Sequence, residues 1–60
     1  MSIIKVGDEV EIVCKDWLKW NVLHYGSVKS IVDDKIIVAF ADLDGYSEYP
    51  FETSQIKVVN

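Results

Sequence analysis

Arginine is absent from this 60-residue chain, and its six lysines are outnumbered by ten acidic residues, which gives a formal net charge of −4. Proteins bind phosphate backbones largely through Lys and Arg, and Arg is the usual bidentate reader of guanine. The charge balance therefore predicts that the chain binds no nucleic acid. An anionic membrane surface is disfavoured for the same reason.

Cysteine and histidine occur once each, as Cys14 and His24. A lone cysteine forms no internal disulfide, and one Cys with one His cannot supply a structural zinc site, so we expect no metal and no cofactor. The pair has no evident third group to complete a nucleophilic site, and a lone Cys is usually an inert small hydrophobe. The sequence therefore predicts that the protein is not an enzyme.

Long apolar runs are also missing. The longest, Ile36 to Ala41, falls far short of the roughly 20 residues that span a bilayer. The N-terminus, MSIIKVGDEV, lacks the features of a secretory signal, so we expect a cytoplasmic protein without membrane insertion. A length of 60 residues predicts one domain that covers residues 1–60.

Short stretches of alternating apolar residues, separated by turn residues, fill the chain. They predict five strands, which are Glu9 to Cys14, Ser27 to Val32, a segment around Ile36, Val38 and Phe40, Tyr46 to Phe51, and Ile56 to Val59. The spacing of Val28 and Ile31 predicts a bulge, and Pro50 predicts an edge position or a strand end. Turns are expected at Asp33-Asp34 and at Asp42 to Gly45, with a helical or 3₁₀ turn at Glu52 to Gln55.

This order of elements predicts an all-β fold, a small five-stranded SH3-like barrel with a long first loop, Lys15 to Tyr25, and a one-turn 3₁₀ helix before the last strand. No segment carries an apolar stripe of helical period long enough for an independent helix. An OB-fold is the alternative, although it normally needs more residues.

A family resemblance covers nearly the whole chain. Its residues are Gly7 with Val10 and Ile12, Trp20-Asn21, Gly26 with Val28 and Ile31, Ile36 with Val38 and Phe40, and Phe51 with Gln55-Ile56. In this order they resemble the SH3-like electron-transport accessory proteins, above all the small stromal accessory protein of photosystem I known as PsaE. The resemblance implies docking rather than catalysis, in that family of acidic ferredoxin. Here Ala39 stands where the family has an arginine, and the net negative charge predicts a partner that is neutral or basic at the contact.

A more distant likeness concerns the plasmid-encoded type II dihydrofolate reductases, which are tetramers with one shared pore. The chain is similar to them at Gly7-Asp8 and at Tyr49-Pro50. The pore-lining segment of those enzymes corresponds to Tyr46 to Tyr49 here, and only Tyr49 carries over.

Aromatic residues supply the candidate binding site. A barrel this small cannot enclose all of its rings, and exposed aromatics are enriched where proteins meet. The predicted partner-binding residues lie in the first loop and in the fourth strand, and they are Trp17, Trp20, His24, Tyr25, Tyr46, Glu48 and Tyr49.

The alternative is that these rings have a structural role. Trp20 and Tyr25 would then cover an open end of the barrel, a role expected of Trp20 more than of Trp17, so that Trp17→Ala should cost little stability. Carboxylates near the rings leave open an aromatic cage for a cationic side chain, and they are Asp16, Asp42, Asp44, Glu48 and Glu52.

The leading functional hypothesis is a non-enzymatic docking module that uses this aromatic and acidic surface to bind a protein partner. We expect a monomer or a weak homo-oligomer. One alternative is an accessory subunit of a larger complex, or of an oligomeric enzyme with a shared pore. A further alternative is an acidic antagonist of a nucleic-acid-binding protein, for which salt-sensitive association is expected.

Overall fold

The computed structural model describes residues 3–42 and 45–59, without the side chain of Asp42. The elements are β1 (Glu9–Ile12), α1 (Lys15–Trp20), β2 (Tyr25–Val32), β3 (Lys35–Asp42), β4 (Gly45–Phe51), a 3₁₀ helix (Thr53–Gln55) and β5 (Ile56–Val58). The predicted turn at Asp42 to Gly45 lies partly outside the described residues, as does the acidic side chain expected of Asp44.

The five strands form one antiparallel sheet in the order β4-β3-β2-β1-β5. β1 lies between β2 and β5, with Val10 opposite both Gly26 and Val58. This arrangement confirms the predicted all-β fold of five strands with a one-turn 3₁₀ helix before the last. Pro50 lies in β4, which is an edge strand, as its missing backbone donor requires.

The core consists of side chains from alternating positions along the strands. Its buried members are Val10, Ile12, Val28, Ile36, Val38, Phe40, Phe51 and Ile56. Because side chains alternate between the two faces of a strand, β3 directs Ile36, Val38 and Phe40 inward and Ile37, Ala39 and Ala41 outward. The period-2 pattern thus placed the inner face correctly.

Two irregularities curve the sheet. The pairing of β2 with β3 shifts register between Val28 and Ser30, which is the predicted bulge. Gly26 lies so close to β3 that a Cβ atom there would be 2.5 Å from Val38 Cγ1. Only glycine therefore allows β2 and β3 to approach each other at this point. At the β2–β3 turn, Asp33 has a φ of 55°, a conformation that Asp tolerates better than most residues.

The first loop contains the six-residue helix α1, which the sequence did not indicate. One and a half turns are too few to produce a readable 3.6-residue period. The helix begins after Cys14 and ends at Trp20, and the backbone N–H and side-chain amide of Asn21 both donate to the Trp17 carbonyl, at 3.0 and 3.1 Å. Trp17 and Leu18 pack against the core from this helix.

Candidate interaction surface

Trp17 is the centre of an aromatic cluster at one end of the core. Its ring stacks on Phe40 with centroids 5.4 Å apart and meets the rings of Phe51 and Tyr49 edge-on at 5.1 and 5.0 Å. Its indole Nε1 donates a hydrogen bond of 2.7 Å to the Leu23 carbonyl. These contacts make Trp17 a half-buried cover of the core and exclude it as a free binding side chain.

The expected roles of the two tryptophans were therefore assigned wrongly. Trp20 is 78% exposed and Tyr25 is 63% exposed, so neither covers the end of the core. The physical reason is that Phe40, Phe51 and Leu23 offer ring contacts and an acceptor to Trp17, whereas Trp20 is the last residue of α1, beyond which the chain is extended. The ring of Trp20 instead contacts its neighbour Lys19, whose Nζ lies 5.2 Å from the ring centroid.

The outward face of the sheet forms a second aromatic surface. Strand pairing sets Tyr46 opposite Ala41, Glu48 opposite Ala39, and Ala39 opposite Ser27. Tyr25 lies two residues before Ser27 in β2 and so shares its face. A groove of about 460 Å³ runs between the two tyrosines, with the small residues as its floor; its lining is Glu9, Tyr25, Gly26, Ser27, Ala39, Ala41 and Tyr46. We call this groove the tyrosine groove.

Carboxylates surround the tyrosine groove. Glu9 pairs with Ser27 and Glu11 with Tyr25, and Lys57 is the cross-strand neighbour of Glu11 in β5. On the other side, the Tyr46 hydroxyl donates a 2.7 Å hydrogen bond to Glu48 Oε2. This hydrogen bond is the main cause of the raised pKa of Tyr46, to which desolvation and the negative charge of Glu48 add. The phenol is thereby kept protonated and held as a donor.

The structure separates the predicted site residues into groups. Tyr25, Tyr46 and Glu48 are brought together at the tyrosine groove. Tyr49 is 42% exposed, but it faces the Trp17 cluster. Trp20 and the exposed His24 do not line the groove, and the His24 carbonyl accepts from the Ile12 backbone N–H at 2.8 Å.

Residues of catalytic or metal-binding type do not converge. Within residues 3–42 and 45–59, no three His, Cys, Asp or Glu side chains are placed to hold a metal ion. The half-buried Cys14 thiol accepts a 3.5 Å contact from Gln55 Nε2. No helix among the residues that the structure describes is long and apolar enough to cross a bilayer.

A second groove, which the sequence did not indicate, lies at the opposite end of the sheet from the β3–β4 turn. It has a volume of about 790 Å³ and lies between the Asp33-Asp34 turn, the 3₁₀ helix and β5. The sequence indicated each of these elements, but it contained no signal that they meet around one depression, because this depends on the pairing of β1 with β5.

Comparisons with protein-family models, with curated proteins and with solved structures found no match to this chain. The resemblance to the electron-transport accessory proteins therefore stays a prediction. Only the geometry of the chain itself bears on its function.

Proposed function

We propose that this chain is a non-enzymatic docking module that binds a protein partner, neutral or basic at the contact, through the tyrosine groove. The observation that carries the proposal is the position of two exposed tyrosines on either side of an alanine floor, on a face that also bears Glu9, Glu11 and Glu48. Trp17, which the sequence suggested as a contact, is left out because the core occupies its ring.

The tyrosines support binding through the apolar area that a partner would cover. Tyr25 is 63% exposed and Tyr46 is 58% exposed. Removal of apolar surface from water is favourable by roughly 25 cal/mol per Å², and tyrosine adds a polar tip that tolerates the rim of an interface. Ala39 and Ala41 leave space above the sheet for a partner side chain.

The hydrogen bond from Tyr46 to Glu48 supports binding in a second way, because it holds one wall of the groove in place before the partner arrives. Ordering a side chain at an interface costs roughly 0.5–1.5 kcal/mol, and a side chain that is already held avoids part of this cost. The carboxylate that orients Tyr46 also contributes negative charge to the surface that the partner meets.

Charge decides which partners suit the surface. An acidic protein or a nucleic acid would be repelled by the three glutamates and by the net charge of −4. A Lys or Arg side chain between the tyrosines would gain a cation–π contact of roughly 0.5–1 kcal/mol at an exposed site. Association should therefore weaken as the salt concentration rises.

Affinity capture from the native host tests the proposal. The bait is compared with the Tyr25→Ala/Tyr46→Ala double variant, and Trp20→Ala serves as the matched control because its ring is exposed but lies outside the groove. Loss of the same captured protein from the double variant alone, with both variants folded, is the expected result. Retention by the double variant together with loss from Trp20→Ala would contradict the proposal and move the contact to α1.

A further inference from the structure

The groove at β5 has the geometry of an open sheet edge. Three successive residues of this strand, Ile56, Lys57 and Val58, line it. Side chains of a strand alternate between two faces, so a groove on one face would be lined by every second residue. Lining by consecutive residues places the groove along the edge of the strand.

Hydrogen bonding shows which backbone groups point into this groove. The Val13 N–H donates to the Gln55 carbonyl at 2.8 Å, and the Val59 N–H donates to the Glu9 carbonyl at 3.0 Å. Gln55 and Val59 thus direct their backbone groups at β1. In an antiparallel pair the direction alternates from one residue to the next, so Ile56 and Val58 direct theirs away from β1. β5 ends the sheet, and no strand of the described residues pairs with this edge.

The walls of the groove are apolar near the floor and acidic at the rim. Ile4, Ile31 and Ile36 supply aliphatic surface, and Ile31 is 41% exposed. Asp33 and Asp34 are exposed carboxylates at the β2–β3 turn. Glu52 also lines the groove, where its Oε1 binds Lys35 Nζ at 3.1 Å. The complementary ligand is an extended chain with aliphatic side chains on one face and Lys or Arg near the two aspartates.

We propose that the open edge of β5 pairs with an extended, basic segment of a partner protein, which adds a strand to the sheet. Main-chain hydrogen bonds to Ile56 and Val58 supply the pairing, and the isoleucines and the two aspartates supply the preference for aliphatic and basic side chains. This site shares no lining residue with the tyrosine groove, so the two surfaces can be tested separately.

The test is a titration of ¹⁵N-labelled protein with synthetic peptides, followed by NMR. The probe is a seven-residue peptide that alternates lysine with valine. We expect shifts at the amides of Ile31, Ile56 and Val58, and slower hydrogen exchange at Ile56 and Val58. The same peptide methylated at every backbone nitrogen should cause no such shifts, because it has no donors to pair with the edge. A peptide with glutamate in place of lysine should bind much more weakly.

Three outcomes would overturn the proposal. The first is equal binding of the methylated peptide, which would mean that the contact is not strand pairing. The second is equal binding of the glutamate peptide, which would remove the charge preference. The third is a set of β5 shifts that depends on protein concentration without peptide, which would assign the edge to a second copy of this chain.

Variants of the protein give an independent readout. Asp33→Asn/Asp34→Asn keeps the turn chemistry, since Asn also tolerates positive φ, and should weaken the lysine peptide about three- to tenfold. Asp16→Asn, an exposed carboxylate on α1, is the matched control and should change nothing. Val58→Pro removes the donor that faces the groove and leaves the bonds to β1 intact, so it should abolish strand pairing.

Discussion

Replacement of Trp17 by alanine should destabilise the protein severely, whereas the same replacement at Trp20 should not. Trp17→Ala removes a ring that contacts Phe40, Phe51 and Tyr49, together with the indole donor bonded to the Leu23 carbonyl. Aromatic-to-alanine changes in cores cost about 3–5 kcal/mol. Because Trp17 is only half-buried, we expect the low end of that range, about 3 kcal/mol.

That loss is large for a chain of this size. At roughly 0.05–0.15 kcal/mol per residue, a 60-residue domain has about 3–9 kcal/mol of unfolding free energy. In a domain this small, each kcal/mol lowers Tm by about 4–8 °C. Trp20→Ala removes an exposed ring and should change the unfolding free energy by less than about 0.5 kcal/mol.

Urea unfolding followed by far-UV circular dichroism is the suitable assay, because each variant loses a fluorophore. Trp17→Phe separates the two contributions to the loss, since it keeps a ring but leaves the Leu23 carbonyl without its indole donor. It should cost less than Trp17→Ala. Equal losses for Trp17→Ala and Trp20→Ala, both within the about ±0.5 kcal/mol typical of surface positions, would refute the packing argument.

Two further predictions concern the sheet and its outer face. Gly26→Ala should destabilise the fold by about 2 kcal/mol or more, because the new methyl group would lie 2.5 Å from Val38 Cγ1 and 2.8 Å from the Ala39 carbonyl oxygen; thermal unfolding measures it, and an unchanged Tm would contradict the close approach. Glu48→Ala should lower the pKa of Tyr46, because it removes the acceptor and the charge that raise it. A phenol whose pKa is raised in the folded state contributes stability below its unfolded pKa and loses it as the pH rises through the folded value, so this dependence should disappear in Glu48→Ala; ultraviolet titration of the phenolates is the measurement, and an unshifted Tyr46 would contradict the hydrogen bond.

The inner face of the sheet could be predicted from the sequence because it depends on local alternation. Ile36, Val38 and Phe40 recur every second residue, and all three are buried. The bulge after Val28 was predictable for the same reason, since it breaks that period. Helix α1 was not, because six residues hold too little of a helical period to compete with the surrounding strand pattern.

The candidate site was only partly predictable because its members come from different strands. Composition identified Tyr25, Tyr46 and Glu48, but their grouping depends on the register in which β2 and β4 flank Ala39 and Ala41. The two tryptophans show the limit more clearly. They lie in one short helix, and what distinguishes them is whether Phe40 and the Leu23 carbonyl are within reach, which is a tertiary property.

The pairing of Val10 with Val58 affects the order in which the chain can fold during synthesis. β2, β3 and β4 are joined by short turns and can pair as soon as each has left the ribosome, whereas β1 has one neighbour until the final strand emerges. Contacts between residues so distant along the chain form slowly, because loop-closure entropy opposes them. Until translation is nearly complete, β1 therefore has an unpaired side, and the nascent sheet presents an edge that chaperones or other chains can bind.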